Sequence, residues 1–239
     1  MTVESRPPPA VDFRADLETV HRHTERLLST ARSLDPASLD HPSLCPGWTR
    51  GHVLSHVARN ADALLRLVTN ATTGTSTPMY ASPESREEEV EAGASRPLDD
   101  QIEDVESSAA RFAKGAAALT DDVADVQLEA RNNTKVRARF LPFMRLREVV
   151  FHHVDLDAGF GFGDVEDDLV QRFLEDSVRR LRAHPEAPSL TIRTNEGDEW
   201  SLGTGEPVVS GPRVAVLEWL TRGLTTGVAG PLPTLPFGG

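Results

Sequence analysis

Apolar side chains recur at three- and four-residue steps along most of the first two-thirds of the chain, which is the spacing of one helical face. These steps predict four long helices, over residues 13–34, 50–73, 98–119 and 142–159. Thr49 is placed to cap the second of them, because threonine accepts hydrogen bonds from the first turn of a helix. Ser82 followed by Pro83 predicts a further, shorter helix. Four helices with one long connection are typical of an antiparallel bundle.

The pattern changes in the last third of the chain. Asp164 is placed to cap a fifth helix that runs to about Ala183, and the segments 190–193, 200–202 and 208–210 then alternate like strands. A last helix is expected to start at Pro212 and to end at a Gly223 cap. Residues 120–142 follow no single period, and we expect a crossover with one strand-like piece there. The chain is therefore predicted to be α+β, with a helical domain over 1–163 and a small α/β domain over 164–239.

Composition excludes several classes of function. The formal charge of −12 argues against binding to the nucleic-acid backbone, which requires a basic face. No apolar run approaches the ~20 residues of a membrane span. The N-terminal residues contain no apolar signal-peptide core, so we expect a cytoplasmic protein. Cys45 is the only cysteine. One cysteine excludes an internal disulfide and a cysteine-based zinc cluster.

Candidate chemistry lies on the helix predicted over 142–159. Glu148 and His152 are four residues apart in an apolar segment, so they share one helical face. A buried carboxylate is costly unless it is paired or bound to a metal. The pair therefore predicts half of a metal site, to be completed by a histidine of another helix. His52 and His56 both lie on the second helix, and periodicity does not choose between them. The alternative interpretation is a Glu–His hydrogen bond inside the core.

Several segments in order along the chain resemble the mycothiol-dependent maleylpyruvate isomerases. They are residues 47–61, 77–84 and 144–156, together with Val208–Gly211 and the dipeptide Arg222-Gly223. The resemblance implies a DinB-like four-helix bundle followed by a small α/β domain. It also implies a zinc ion held by His56, Glu148 and His152, so that His52 and His153 would not be ligands.

The same resemblance implies the activity. Zinc and mycothiol would be the cofactors of a cis–trans isomerase, whose partners are a small-molecule thiol and an anionic substrate. A thiolate would add to the double bond of maleylpyruvate, and elimination after rotation would leave fumarylpyruvate. Arg222 stands where the family has an active-site arginine. Its alternative role is to complement the dipole at a helix end.

Other residues are weaker candidates for this site. Further cations that could act there are Arg50, Arg145 and Arg147, while Met79 and Tyr80 could line the cleft. We expect Cys45 to be a small buried hydrophobic residue and not a nucleophile, because the sequence places no histidine next to it.

Three other functions use the same residues. A mycothiol S-transferase would keep the zinc and thiol roles and differ only in the electrophile. Two histidines and one carboxylate are also the ligand set of non-haem iron oxygenases. A non-catalytic metal- or ligand-binding module would bind the metal without turnover.

Overall fold

The structure is a computed structural model that describes residues 12–236, apart from the side chain of Asn132. The chain forms two compact units, and the boundary between them lies at Ala158 and Gly159. In its described residues, the first unit holds five α-helices: α1 (Phe13–Arg32), α2 (Arg50–Thr73), α3 (Pro83–Ala94), α4 (Leu98–Ala116) and α5 (Leu141–Asp155). It also holds an antiparallel hairpin of β1 (Gln127–Glu129) and β2 (Lys135–Arg137).

The starts of α2 and α3 follow from local chemistry. The Thr49 side chain accepts from the backbone N–H of His52, and the His52 ring accepts in return from the Thr49 N–H. Ser82 and Ser85 exchange the same two bonds at the start of α3. Each exchange satisfies donors that a helix N-terminus leaves without an intrahelical partner. Both predicted N-caps are confirmed.

The four long helices of the first unit form a bundle. Helix α1 packs on α4 and α5, and α2 packs on the same two helices. Buried apolar side chains fill the space between them, including Leu27, Leu28, Val53, Leu54, Val57, Val105 and Val149. Burial of this apolar surface is the dominant favourable term in folding such a bundle.

A buried cation joins two of these helices. Arg145 of α5 has 0% exposure, and its guanidinium donates to the Val57 carbonyl oxygen and to Asn60 Oδ1 of α2, at 2.8 and 2.9 Å. A buried charge is tolerated only when it is hydrogen-bonded in this way. Arg145 therefore fixes α5 against α2, the two helices that carry the predicted metal ligands.

The second unit is a small α/β unit. It contains α6 (Asp167–Ala183), the strands β3 (Leu190–Thr194), β4 (Glu199–Leu202) and β5 (Val208–Gly211), and α7 (Arg213–Arg222). Strand β3 is central and pairs with β4 antiparallel and with β5 parallel. Helix α7 packs on α6 and on β5. Gly223 ends α7 with a φ of 69°, so the predicted cap is confirmed.

Some predicted boundaries are wrong. Residues 120–142 contain two short strands, where one was expected. Helix α5 ends at Asp155, before the predicted Gly159, because Asp157 turns the chain with a φ of 48°. Asp164 does not cap α6; its carboxylate accepts from the Gly161 N–H in a 3₁₀ turn, and α6 starts at Asp167. None of the helices described is both long and apolar enough to cross a membrane.

Candidate metal centre

Three side chains from two helices converge in the first unit. His56 comes from α2, and Glu148 and His152 come from α5. His56 Nε2 lies 3.0 Å from Glu148 Oε2, and His152 Nε2 lies 3.5 Å from the same oxygen. One potential ligand atom of each residue lies within 4.8 Å of the others. Two nitrogen donors and one carboxylate oxygen form a set that suits zinc or non-haem iron.

Burial and mutual contact shift the pKa of each of these groups. Burial is the main reason why the pKa of His56 falls to about 4, so its imidazole is neutral and has a lone pair for a metal. Burial opposes the charge on Glu148, but hydrogen bonds with His152 and His56 outweigh it and hold its pKa well below the usual value. Burial likewise opposes the charge on His152, yet bonds to Asp155, Cys45 and Glu148 raise its pKa well above 6.5. The site thus provides an anionic oxygen between two histidine rings.

A second carboxylate supports the site from behind. Asp155, with 0% exposure, places Oδ2 2.8 Å from His152 Nδ1. A metal-bound histidine usually donates its other N–H to a carboxylate, which sets the tautomer of the ring. The sequence analysis missed Asp155, although its position three residues after His152 is a helical spacing that could have indicated the contact.

Cys45 contacts the same carboxylate, Asp155. Its Sγ donates to Asp155 Oδ2 at 3.1 Å and lies 3.9 Å from His152 Nδ1. The side chain is partly exposed, so the expectation of a plain buried hydrophobic residue is wrong. The physical reason is that the loop before α2 lies against the end of α5, where the Leu44 N–H donates to the Asp155 carbonyl oxygen. Cys45 and Asp155 are 110 residues apart, so their contact could not be predicted from sequence order.

The two neighbouring histidines have other partners. The His52 ring accepts from Thr49 in the α2 cap, and its Nε2 lies 2.9 Å from Glu91 Oε2 of α3. His153 Nε2 lies 2.7 Å from Thr30 Oγ1 of α1. Neither histidine belongs to the cluster around Glu148.

Two further side chains border the cluster. The Trp48 ring centroid lies 5.2 Å from that of His56 and 6.3 Å from that of His152. Arg86 of α3 has a guanidinium nitrogen 3.3 Å from His56 Nδ1, and its central carbon lies 5.8 Å from the Trp48 centroid. No sequence signal pointed to Arg86, which precedes the acidic run 87–89 on a mostly polar helix.

Comparison with known proteins decides the family. The family described as "Mycothiol maleylpyruvate isomerase N-terminal domain" matches residues 20–157, more than half of the chain. The chain belongs to this family. The residues of the candidate metal centre all lie within the matched range.

Solved structures extend the likeness beyond that domain. A crystal structure of the mycothiol-dependent maleylpyruvate isomerase is 29% identical, with a TM-score of 0.87, and covers 94% of this chain and 96% of that one. A structure of a histidine-to-alanine mutant of that isomerase has the same TM-score and coverage at 28% identity. A search of the curated proteins found no match. The predicted resemblance and the α+β fold class are confirmed.

The arginines proposed from the sequence of this family member have varied surroundings. Arg50 donates to the carbonyl oxygens of Leu156 and Asp157, at 2.7 and 2.5 Å, and so caps the end of α5. Arg145 lies in the core. The Arg147 guanidinium lies 4.5 Å above the Phe151 ring. Arg222 is the last residue of α7 and donates to the Thr221 carbonyl oxygen at 2.8 Å.

A cavity of about 630 Å³ lies in the first unit. Met79 and Tyr80 line it, as does Arg86, whose guanidinium carbon is 5.9 Å from the Tyr80 ring centroid. Because Arg86 also reaches His56, it connects the cavity with the candidate metal centre.

Proposed function

We propose that this chain is a zinc- and mycothiol-dependent cis–trans isomerase that converts maleylpyruvate to fumarylpyruvate. The observation that carries the proposal is the convergence of His56 Nε2, His152 Nε2 and Glu148 Oε2 in a protein of this family. The isomerases of known structure that it resembles are mycothiol-dependent, and they match almost the whole chain.

The residues fit a zinc ion for three reasons. The donors are two imidazoles and one carboxylate, as in known catalytic zinc sites. Their ligand atoms lie close enough to share one ion. Asp155 stands where a metal-bound His152 would need an acceptor for its Nδ1–H. Three protein ligands leave a coordination position for a reactant, which distinguishes a catalytic from a structural site.

When both cofactors are bound, the zinc held by His56, Glu148 and His152 would keep the thiol as its thiolate. Addition of that thiolate would make the substrate double bond single, rotation about this bond would follow, and elimination would restore the double bond and return the thiol.

The protein's own groups would do the rest. Glu148 supplies negative charge to the ion, and Asp155 fixes the His152 ring. Trp48 lies beside the two histidine rings, where it would provide an apolar wall. Arg222, in this proposal, would stabilise the oxyanion that forms when the keto-enolate gains charge.

The test is the isomerisation of maleylpyruvate, followed with and without added mycothiol. We expect turnover only with the thiol. We expect the Cys45→Ala variant to keep that dependence, because the Cys45 thiol donates a hydrogen bond to Asp155 and is not the nucleophile in this proposal. Full activity in thiol-free buffer that disappears in Cys45→Ala would refute the mycothiol role. A stable thioether product in place of fumarylpyruvate would identify an S-transferase.

A further inference from the structure

Arg86 is a half-buried cation without a carboxylate partner among the residues that the structure describes. At least eleven other arginines in the described part of this acidic chain are ion-paired, as Arg59 is with Asp104 at 2.6 Å and Arg213 with Asp198. The Arg86 guanidinium contacts two uncharged groups instead, His56 Nδ1 at 3.3 Å and the side chain of Tyr80. A guanidinium taken partly out of water without an anion is unfavourable, so this group is available to an anionic ligand.

Metal binding would release Arg86 from its histidine. His56 turns Nε2 toward Glu148, so this nitrogen is the one that would meet a metal. A neutral imidazole carries its single proton on the other nitrogen when one is metallated. His56 Nδ1 would then be a donor and could not accept from Arg86. An ion bound at His56 Nε2 would therefore end the hydrogen bond that Arg86 donates to Nδ1.

The cavity beside Arg86 contains a second arginine. Arg131 lines it, and no carboxylate partner of Arg131 occurs in the described part of the chain. Tyr80 also lines the cavity: burial raises its pKa, while the charges of Arg86 and Arg131 both oppose that rise. The third basic lining residue, Lys135, is paired with Glu129.

The charge of this cavity is opposite to that of the whole protein. Its lining has three basic side chains and one acidic side chain, although the chain carries a formal charge of −12. A positive pocket in a negative protein attracts anions locally and gives them one site to enter. Two unpaired guanidinium groups, each a planar fork that matches a carboxylate, indicate an anion with more than one carboxylate.

We propose that Arg86 and Arg131 form the carboxylate-binding subsite for the dianionic substrate, in the cavity beside the metal ligands. The inference rests on the proposed isomerase function for the identity of the substrate. In this proposal, Arg86 and Arg131 of the first unit bind the carboxylates of the substrate before it reacts. Arg222 keeps its proposed role of stabilising the charge that develops during thiolate addition.

Binding can be tested without turnover. Maleate is a cis dicarboxylate, and its affinity for the zinc-loaded, thiol-free full-length protein can be measured by titration calorimetry. We expect Arg86→Gln to weaken maleate binding about 10- to 100-fold, the usual loss for one hydrogen-bonded charge pair, with zinc content unchanged. Arg131→Gln should weaken it less because Arg131 is exposed. Arg86→Lys should recover part of the loss, because it restores the charge but not the fork.

The control is Arg96→Gln. Arg96 lies just after α3 and is already paired with Asp104 at 3.2 Å, so this variant should bind maleate like the wild type. Neutral succinamide should not bind to any variant. The proposed subsite would be wrong if Arg86→Gln bound maleate as tightly as the wild type. It would also be wrong if the wild type did not bind maleate.

Failure of the subsite and failure of the isomerase proposal give different results. If the wild type isomerises maleylpyruvate and Arg86→Gln keeps the same KM, the subsite is wrong and the function stands. If the wild type binds maleate without isomerising maleylpyruvate, and the Arg86→Gln variant loses maleate affinity, the subsite stands and serves another dicarboxylate.

Discussion

Asp155 Oδ2 lies 2.8 Å from His152 Nδ1, while the Nε2 of the same ring faces Glu148 Oε2 at 3.5 Å. The imidazole is therefore held between two carboxylates, one behind it and one in the candidate metal centre. A proton kept on Nδ1 by Asp155 leaves the Nε2 lone pair free for a metal. The contact makes Asp155 a positioning residue of the proposed site.

Replacing Asp155 by Asn should weaken zinc binding about 10- to 100-fold, the usual effect of losing such a partner. The amide can turn its NH₂ group toward Nδ1, which favours the tautomer that has its proton on Nε2. Competition with a chromogenic chelator measures the zinc affinity directly. The matched control is Glu91→Gln, which changes a carboxylate 2.9 Å from a non-ligand histidine, His52. Equal zinc affinity in the two variants would contradict the role of Asp155.

The ligand set makes a separate prediction. His56→Ala and His152→Ala should each purify without zinc, since each removes one of three protein ligands. His52→Ala and His153→Ala should retain it, because these rings contact Glu91 and Thr30. Metal content is measured by elemental analysis on folded protein, because loss of a cap interaction at His52 can cost about 1 kcal/mol. If His52→Ala lost the metal and His56→Ala retained it, His52 and not His56 would be the ligand from α2.

Substitution of Arg222 distinguishes a catalytic role of this residue from a role at the end of α7. If its guanidinium stabilises the developing oxyanion, Arg222→Ala should keep its zinc and lose about 10²–10³ in turnover. Arg222→Lys should recover only part of this loss. A charge that merely complements the end of α7 is worth about 0.3–1 kcal/mol of stability and leaves kinetics nearly normal. Arg182→Ala, in the last turn of α6, is the control for that effect. Wild-type kcat in Arg222→Ala would leave only the helix-end role.

Arg213 should control the stability of the second unit. Its guanidinium binds both carboxylate oxygens of Asp198, at 2.6 and 3.1 Å, and also binds Asp167 at 2.6 Å. Arg213→Gln should lower the free energy of unfolding by about 2 kcal/mol at neutral pH. Urea unfolding measures the change. The control is Arg193→Gln, which breaks an exposed pair with Glu199 and should cost at most about 1 kcal/mol.

The same pair predicts an acid dependence. Burial opposes the charge on Asp198, but hydrogen bonds from Arg213 and Thr194 outweigh it and lower the pKa of Asp198 below 3.8. A carboxyl group with a lowered folded pKa stabilises the protein fully above its unfolded pKa and loses that contribution as the pH falls through its folded pKa. The stability difference between wild type and Arg213→Gln should therefore shrink below pH 3.8. A difference that grows on acidification would refute this linkage.

Local sequence patterns determined the helices, three of their caps and the shared face of two candidate metal ligands. Thr49, Ser82 and Gly223 act through bonds to neighbours a few residues away, so their roles could be predicted from sequence order. Glu148 and His152 share a face because the helical period sets their separation. Their partner could not be chosen this way, because His52 and His56 fit the same period. The resemblance selected His56, and the structure places it 3.0 Å from Glu148.

Only the tertiary structure brought together the groups that surround the cluster. Cys45 and Asp155 are 110 residues apart, and Arg86 reaches His56 across 30 residues. The hairpin was missed because its strands have three residues each, too few to show an alternation. Periodicity reports which face of an element is buried, whereas contacts between elements depend on how whole helices pack. Packing alone therefore decided that Cys45 contacts Asp155 and that Arg86 lies beside His56.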